Sequence, residues 1–331
     1  MNKIFILGFL SVLILSSCNY NKGQKNPEKE EVQVKKQRKT FSEISIKEGG
    51  KWVGNEYVGG TFKNVIELKV PDSHTDHSGY IRYEGPGWEN SQVGFRLYLD
   101  WRNAIDIFGK KVDTLVLANV GHPYSGSYHE EAPWGLDILK AGKSLGIGGF
   151  GRYVNDSVIH FREVENTSVK INNSETSSEV EIEYSGWIAG DETIDLLAVF
   201  SIYPKDRFTK VELSPSSKIS GLSTGIVKFE DIPLWQKETE DGNWGYIASY
   251  GNQTLAGDDD KLGMAIFYNK SEVAETVEGP HDHLVLFSPG ERSTYYFLAA
   301  WEQEKNGITS KEEFLKDINA KLQRLEKEGE L

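Results

Sequence analysis

The sequence predicts an all-β fold, a large β-sandwich closed by one C-terminal amphipathic helix. Short runs rich in Val, Ile, Tyr and Phe follow one another from residue 64 to residue 301, with Gly, Asn and Pro between them. Several of these runs alternate apolar and polar residues, the period of a strand with one wet face. The one long stretch with a helical apolar period lies at the end of the chain.

The N-terminal end reads as processed rather than folded. "MNKIFILGFLSVLILSSC" has a cationic Lys3, an apolar run from Ile4 to Leu15 and small residues before Cys18, a secretory signal too short for a membrane span. Leu15-Ser16-Ser17-Cys18 resembles the bacterial lipobox. Residues 1–17 are then the signal peptide, and Cys18 is the lipidation site of an outer-membrane lipoprotein. The periplasmic side is preferred to the cell surface, because the usual acidic export tag does not follow the cysteine. Cys18 is the only cysteine, so neither a disulfide framework nor a cysteine metal cluster is available.

Residues 18–40 form a lipidated tether, with seven Lys or Arg against three Glu and almost nothing apolar. The whole chain is at −13, so the body beyond this basic tether is more acidic still. Basic residues beside a lipid anchor favour an anionic membrane surface, whereas an acidic body excludes nucleic acid as a partner. Residues 41–331 show no linker-like break and no repeat of fixed period, so they are read as a single domain.

Within it the strand-like runs, in order, are "NVIELKV", "GFRLYLDW", "DTLVLANV", "SVIHFREV", "EVEIEYSGW", "DLLAVFSIY", "KVELS", "GIVKFEDI", "LGMAIFYN", "HLVLFSP" and "STYYFLAAW". In the fifth, Glu179, Glu181 and Glu183 alternate with Val180, Ile182 and Tyr184, so one face is wet. The apolar run in the sixth predicts a strand between two layers. "APWGLDILKAGKSLG" is expected to hold a short helix around Leu136 to Gly142. The terminal helix, 310–329, starts with Ser310 and Glu313 at capping-box spacing and carries Phe314, Ile318, Leu322 and Leu325 as one stripe.

Two motif matches fail on context. "GIGGFG" fits G-x-G-x-x-G, but an extended segment follows where a dinucleotide site needs a helix N-terminus. No cofactor is expected. "GLSTG" fits the nucleophile elbow, but "IVKFEDIP" is extended and ends in Pro233. His74-x-x-His77 and His281-x-His283 lie in turn-like segments without a further ligand set of recognised spacing; they read as loop histidines, and no metal is assigned.

The chemistry is expected around "VGFRLYLDWRN", residues 93–103. Val93, Phe95, Leu97, Leu99 and Trp101 form one face, which leaves Gly94, Arg96, Tyr98, Asp100 and Arg102 in a row on the other. Gly85-Pro86-Gly87 should turn the chain so that Glu84, Trp88 and Glu89 stand beside that row. Downstream, "NVGHPYSGSYHEEAPWGLD" supplies His122, Tyr124, Tyr128, His129, Trp134 and Asp137. Aromatic faces beside charged groups suit a sugar, and an arginine fork suits a carboxylate or sulfate. The competing reading is a solvated face on which Arg96, Asp100 and Arg102 pair with one another.

"YEGPGWENSQVGFRLYLDWRNAIDIFGKK", "SYHEEAPWGLDILKAGKSLGIGG" and "YYFLAAWE" resemble the domain-of-unknown-function 4861 family of bacterial lipoproteins and secreted proteins, a likeness covering nearly the whole body. The resemblance implies a β-sandwich like the galactose-mutarotase supersandwich and related lyase domains. It also implies a place in polysaccharide utilisation, among enzymes that handle uronic-acid-rich glycans such as ulvan. The implied activity is dehydration of a uronic acid at the non-reducing end of an oligosaccharide.

That elimination needs a cation for the carboxylate, a base for the C5 proton and an acid for the departing C4 oxygen. Arg96, with Arg102 behind it, suits the first role. His129 suits the second. Tyr124 or Tyr128 suits the third, with His122 and His77 as competitors. Trp88 and Trp134 would stack on sugar rings, with Glu89 and Asp100 as further binding groups. A glycoside hydrolase with paired carboxylates and a non-catalytic glycan-binding lipoprotein are the rival readings.

Overall fold

A computed structural model describes residues 38–331. The signal peptide, Cys18 and the tether up to residue 37 lie outside the described residues, as does the anchoring expected of them.

The central layer is a nine-stranded antiparallel sheet. From edge to edge it runs Leu234–Glu238, Trp244–Asn252, Lys261–Asn269, Ser293–Trp301, Phe208–Pro215, Thr193–Ile202, Ser178–Ile188, Asn166–Asn173 and Glu67–Lys69. Two smaller antiparallel sheets cover one of its faces. The six-stranded sheet runs Glu56–Val65, Thr40–Val53, Gly87–Asn90, Val93–Leu97, Ile105–Lys110 and Gly135–Asp137. The five-stranded sheet runs Val273–Glu278, Asp282–Phe287, Leu222–Val227, Ile147–Val154 and Ser157–Ile159. A parallel bridge between Ile105 and Gly146 links the two smaller sheets.

Aromatic side chains fill the space between the layers. Trp88 stacks on Phe200 at 5.0 Å, and Phe95 meets Phe297 edge-on at 5.0 Å, so both smaller-sheet residues reach across to the nine-stranded sheet. The architecture is the all-β, sandwich-like one expected, with one terminal helix.

That helix, Lys311–Glu328, covers part of the other face of the nine-stranded sheet. Ser310 Oγ accepts from the Glu313 amide, Glu312 and Glu313 occupy the first turn, and Gly329 closes the helix in the left-handed region. Phe314, Ile318, Leu322 and Leu325 are all buried against Tyr246, Tyr250, Phe267 and Leu298. A Cβ on Gly263 would stand 2.5 Å from the Phe314 ring, so this strand position admits only glycine beneath the helix.

Several local expectations change. The first strand of the described residues starts at Thr40, within the segment expected to be tether; its side chain is buried and its hydroxyl accepts from Ser178. The short helix around Leu136 to Gly142 is instead the edge strand Gly135–Asp137 and irregular chain, because Leu136 and Ile138 point to the core with strand alternation. "DTLVLANV" forms no strand: Leu117–Asn119 is a single 3-10 turn. "SVIHFREV" keeps a strand only over Ser157–Ile159. In "DLLAVFSIY", Leu196, Ala198 and Phe200 are buried, while Leu197 and Val199 are half-buried, so the second face is only partly covered. The hairpin of Thr40–Val53 with Glu56–Val65, and the strands Leu234–Glu238 and Trp244–Asn252, were not among the expected runs.

Candidate active site

The six-stranded sheet has one face in the inter-sheet core and a second face of ionisable side chains. Register explains the second. Arg96 lies directly opposite Asp106, Glu89 opposite Gly94, and Asp137 opposite Phe108. Because strand side chains alternate, Asp106, Phe108 and Lys110 share a face with Arg96, Glu89 and Asp137. The row expected to line a site is instead buried from Gly94 to Tyr98. Residues 111–134 fold over it and seat Val116, Leu117, Val120, Tyr128 and Trp134 against Tyr83 and Phe108.

The expected row also ends early. The strand stops at Leu97, the chain turns over Asp100–Asn103, and Asn103 adopts a left-handed φ of 50°. Asp100 and Arg102 therefore sit on the turn. The Arg102 guanidinium folds back over the Tyr98 ring at 3.9 Å.

Arg96 is the centre of the buried face, with no exposed surface. Its Nη2 donates to Asp137 Oδ2 at 2.6 Å, to Asp106 Oδ2 at 3.0 Å and to the Tyr98 hydroxyl at 2.7 Å. Its Nη1 donates to the Tyr128 hydroxyl at 3.1 Å. Burial works against its charge, but Asp137, Tyr98 and Asp106 outweigh it and hold the guanidinium firmly protonated. Burial and the neighbouring Asp137 push Asp106 up to about 7, against the pull of Arg96.

Asp137 carries the surface connection. Its Oδ2 lies 3.1 Å from Nδ1 of His129, whose side chain is 55% exposed. The His129 ring packs on Tyr128 at 4.3 Å between centroids. Tyr128 has its ionisation pushed up, first by burial, so its proton is retained. Asp137 Oδ1 and Arg96 Nε are buried with no hydrogen-bond partner among the described residues, so the network is not closed on itself.

A second run of charge starts beside Arg96. Glu84 Oε2 lies 3.9 Å from Arg96 Nη1 and 3.7 Å from Arg102 Nη2. Arg102 donates to both oxygens of Asp100 and to Asp76 at 2.7 Å. Gly85 makes this possible: the backbone there passes so close to Leu97 that a Cβ would fall 1.8 Å from its carbonyl oxygen. Asp76, His77 and Glu84 bring three potential metal-ligand atoms within 4.8 Å of one another. The Arg102 guanidinium already lies against two of those carboxylates, which supplies the positive charge a cation would bring.

His129, Arg96, Tyr128, Arg102, Asp100 and, through Glu84, His77 thus fall in one connected cluster. His122 lies nearby against the buried pair of Arg82 and Glu43, and Tyr124, 76% exposed, stacks on it at 4.9 Å. Burial, then Arg82, lowers the His122 pKa and favours the neutral ring.

Three assignments are corrected. Trp88 is fully buried in the inter-sheet core, its Nε1 donating to Thr209 at 2.9 Å, so it cannot stack on a sugar. Glu89 is equally buried, paired with Lys110 at 2.6 Å and accepting the Val116 and Leu117 amides; it anchors the covering segment. Arg96 reaches no solvent, so it cannot meet a substrate carboxylate as expected; Arg102, expected behind it, has 14% of its side chain exposed and is held by Asp100 and Asp76. Trp134 is half-buried against Phe108 at 6.0 Å. Asp106, Arg82 and Glu43 were missed, although the alternation of "IDIFGK" places Asp106 opposite its two buried isoleucines.

Fold and site together define an all-β, multi-sheet protein with a histidine–carboxylate–arginine cluster at the rim of one sheet. The sequence profile of the domain of unknown function DUF4861 matches residues 24–329, and the chain belongs to that family. No curated protein matches it.

Proposed function

We propose that the chain is a carbohydrate-active lyase, a hydro-lyase that eliminates the C4 hydroxyl of a non-reducing-end uronic acid in oligosaccharides from an anionic polysaccharide such as ulvan. The observation that carries this reading is the exposed His129 imidazole held beside a buried carboxylate. Asp137 faces Nδ1, which leaves Nε2 free to receive a proton. Arg96 fixes Asp137 and the Tyr128 hydroxyl at once and is a positioning residue in this scheme.

In the elimination, the C5 proton passes to His129 Nε2. The electron pair of that bond forms the C4–C5 double bond, and the C4–oxygen bond breaks. The departing hydroxyl takes the Tyr128 proton and leaves as water, with Tyr124 as the alternative donor. Burial keeps Tyr128 protonated, which suits an acid. Arg102, the guanidinium of the cluster with exposed surface, would meet the substrate carboxylate in competition with Asp100 and Asp76.

A hydrolase is less well served by the same geometry. Asp106 and Asp137 both lie within 3.0 Å of one arginine nitrogen and are fully buried, so no glycosidic bond can lie between them. Lipid anchoring at Cys18, with the periplasmic face of the outer membrane as its place, belongs to the same proposal.

The test is incubation of the mature protein with uronate oligosaccharides, with the ultraviolet absorbance of the unsaturated product as readout. A rise that His129→Ala abolishes supports the reading. New reducing ends without that absorbance mean hydrolysis, and binding without either product means a receptor.

A further inference from the structure

Beyond the Arg102 turn, the wall of the molecule opens into two adjoining hollows that share Trp101 and Arg162. The first, about 320 Å³, is acidic, with Asp72, Asp76, Asp100 and Glu165 in its lining. The second, about 300 Å³, holds Lys143, Arg162, His160 and His281, with Asp282 at its floor.

The second hollow is unusual in a chain of net charge −13, because its two permanent cations are unspent. Arg162 and Lys143 are exposed, and neither the guanidinium nor the ammonium group forms an ion pair or hydrogen bond with another described residue; only the Lys143 backbone is engaged, by His160. Arg162 lies flat over the Trp101 ring, its guanidinium carbon 3.7 Å from the centroid. Stacking fixes the plane of the fork on the wall that the two hollows share and leaves its N–H donors without a protein acceptor. His160 is oriented by its Nδ1, 2.8 Å from the Arg102 carbonyl oxygen, and packs edge-on against Trp101 at 5.5 Å. Asp282 does not cancel the cations fully: it is 2% exposed, one oxygen accepts the Leu145 amide, and burial favours its neutral form.

We propose that this basic hollow is a binding subsite for an anionic group, a carboxylate or a sulfate ester, carried by a sugar. In the adjoining hollow Asp72 and Glu165 stand beside Asp76 and Asp100, which Arg102 already holds, so the Lys143 side of Arg162 is the more favourable place for such a group. Arg102 ties the subsite to the candidate active site: its carbonyl oxygen receives His160, and its guanidinium lies against Glu84. The inference rests on the proposed lyase reading only for the idea that the same oligosaccharide reaches both.

The experiment is calorimetric titration of the mature protein and its Arg162→Ala/Lys143→Ala double variant. The three probes are sulfated uronate oligosaccharides, the same oligomers desulfated, and oligomers both desulfated and carboxyl-reduced. Both substitutions are at exposed sites, so an unchanged melting temperature controls for folding. The expected result is affinity for anionic oligomers that falls on the order of ten- to a hundredfold in the variant, with a weaker salt dependence. A fall confined to the sulfated probe identifies the ester, and an equal fall for the first two identifies the carboxylate. Equal affinity of wild type and variant for every anionic probe, or wild-type binding of the neutral oligomer as tight as that of the anionic ones, overturns the proposal. Variant-sensitive anion binding without unsaturated product leaves the subsite standing and removes the lyase; unsaturated product with unaltered binding does the reverse.

Discussion

Arg96 and His129 meet on a single atom: Asp137 Oδ2 lies 2.6 Å from the guanidinium and 3.1 Å from the imidazole. One partner is sealed in the sheet and the other stands at its surface. The carboxylate between them couples a rigid interior charge to a solvent-facing imidazole.

His129→Ala separates chemistry from folding. The ring is largely exposed, so the melting temperature should stay unchanged, while turnover of uronate oligosaccharides falls roughly 10²–10⁴-fold. Asp137→Asn should also slow turnover while preserving binding. Steady-state rates beside melting curves decide this; a His129→Ala protein with full activity removes the imidazole from the mechanism.

Arg96→Met should be severe for stability. It leaves Asp106 and Asp137 facing each other, buried and without their shared cation, and takes the donor from the Tyr128 hydroxyl. Breaking a buried pair in this way costs about 3–5 kcal/mol. Denaturant titration should show the midpoint falling accordingly, and an unchanged midpoint would contradict the buried network described here.

Asp282→Asn should flatten the dependence of stability on pH. Burial pushes Asp282 from 3.8 up to about 7, so in that interval the folded chain keeps a proton the unfolded chain has released. Its contribution is full below 3.8 and drains away as pH rises through about 7. Asp106, raised by burial and then by Asp137, acts in the same sense. His74 opposes them: burial lowers it from 6.5 to about 4, so its contribution is present above 6.5 and lost as pH falls through about 4. Asparagine keeps an acceptor for the Leu145 amide and cannot ionise. The stability of the variant relative to wild type should therefore grow between pH 4 and pH 8. A constant offset across that range would show that Asp282 does not titrate as described.

Phe314→Ala tests how the helix is held. The ring is fully buried over Gly263 and stacks on Tyr250 at 5.5 Å. Its removal leaves a cavity and should cost about 3–5 kcal/mol. Helical hydrogen exchange should accelerate by a corresponding factor, while Ser310→Ala, which removes only the cap, costs about 1 kcal/mol.

The sequence by itself determined the fold class and the helix, because both follow from local periodicity. Phe314, Ile318, Leu322 and Leu325 recur at helical spacing whatever they pack against, and Glu181 and Glu183 alternate with buried residues because a strand imposes a period of two. Periodicity also placed Arg96 and Tyr98 on one side of their strand. It could not say what lies over that side. The burial of Arg96 and Glu89 depends on residues 111–134 folding across the sheet, and that of Trp88 on strands more than a hundred residues away. Which residue meets which across strands is set by register and by the covering loop. Only the tertiary structure brought Asp106 and Asp137 to one guanidinium, and only it turned the arginine expected to face substrate into an interior support.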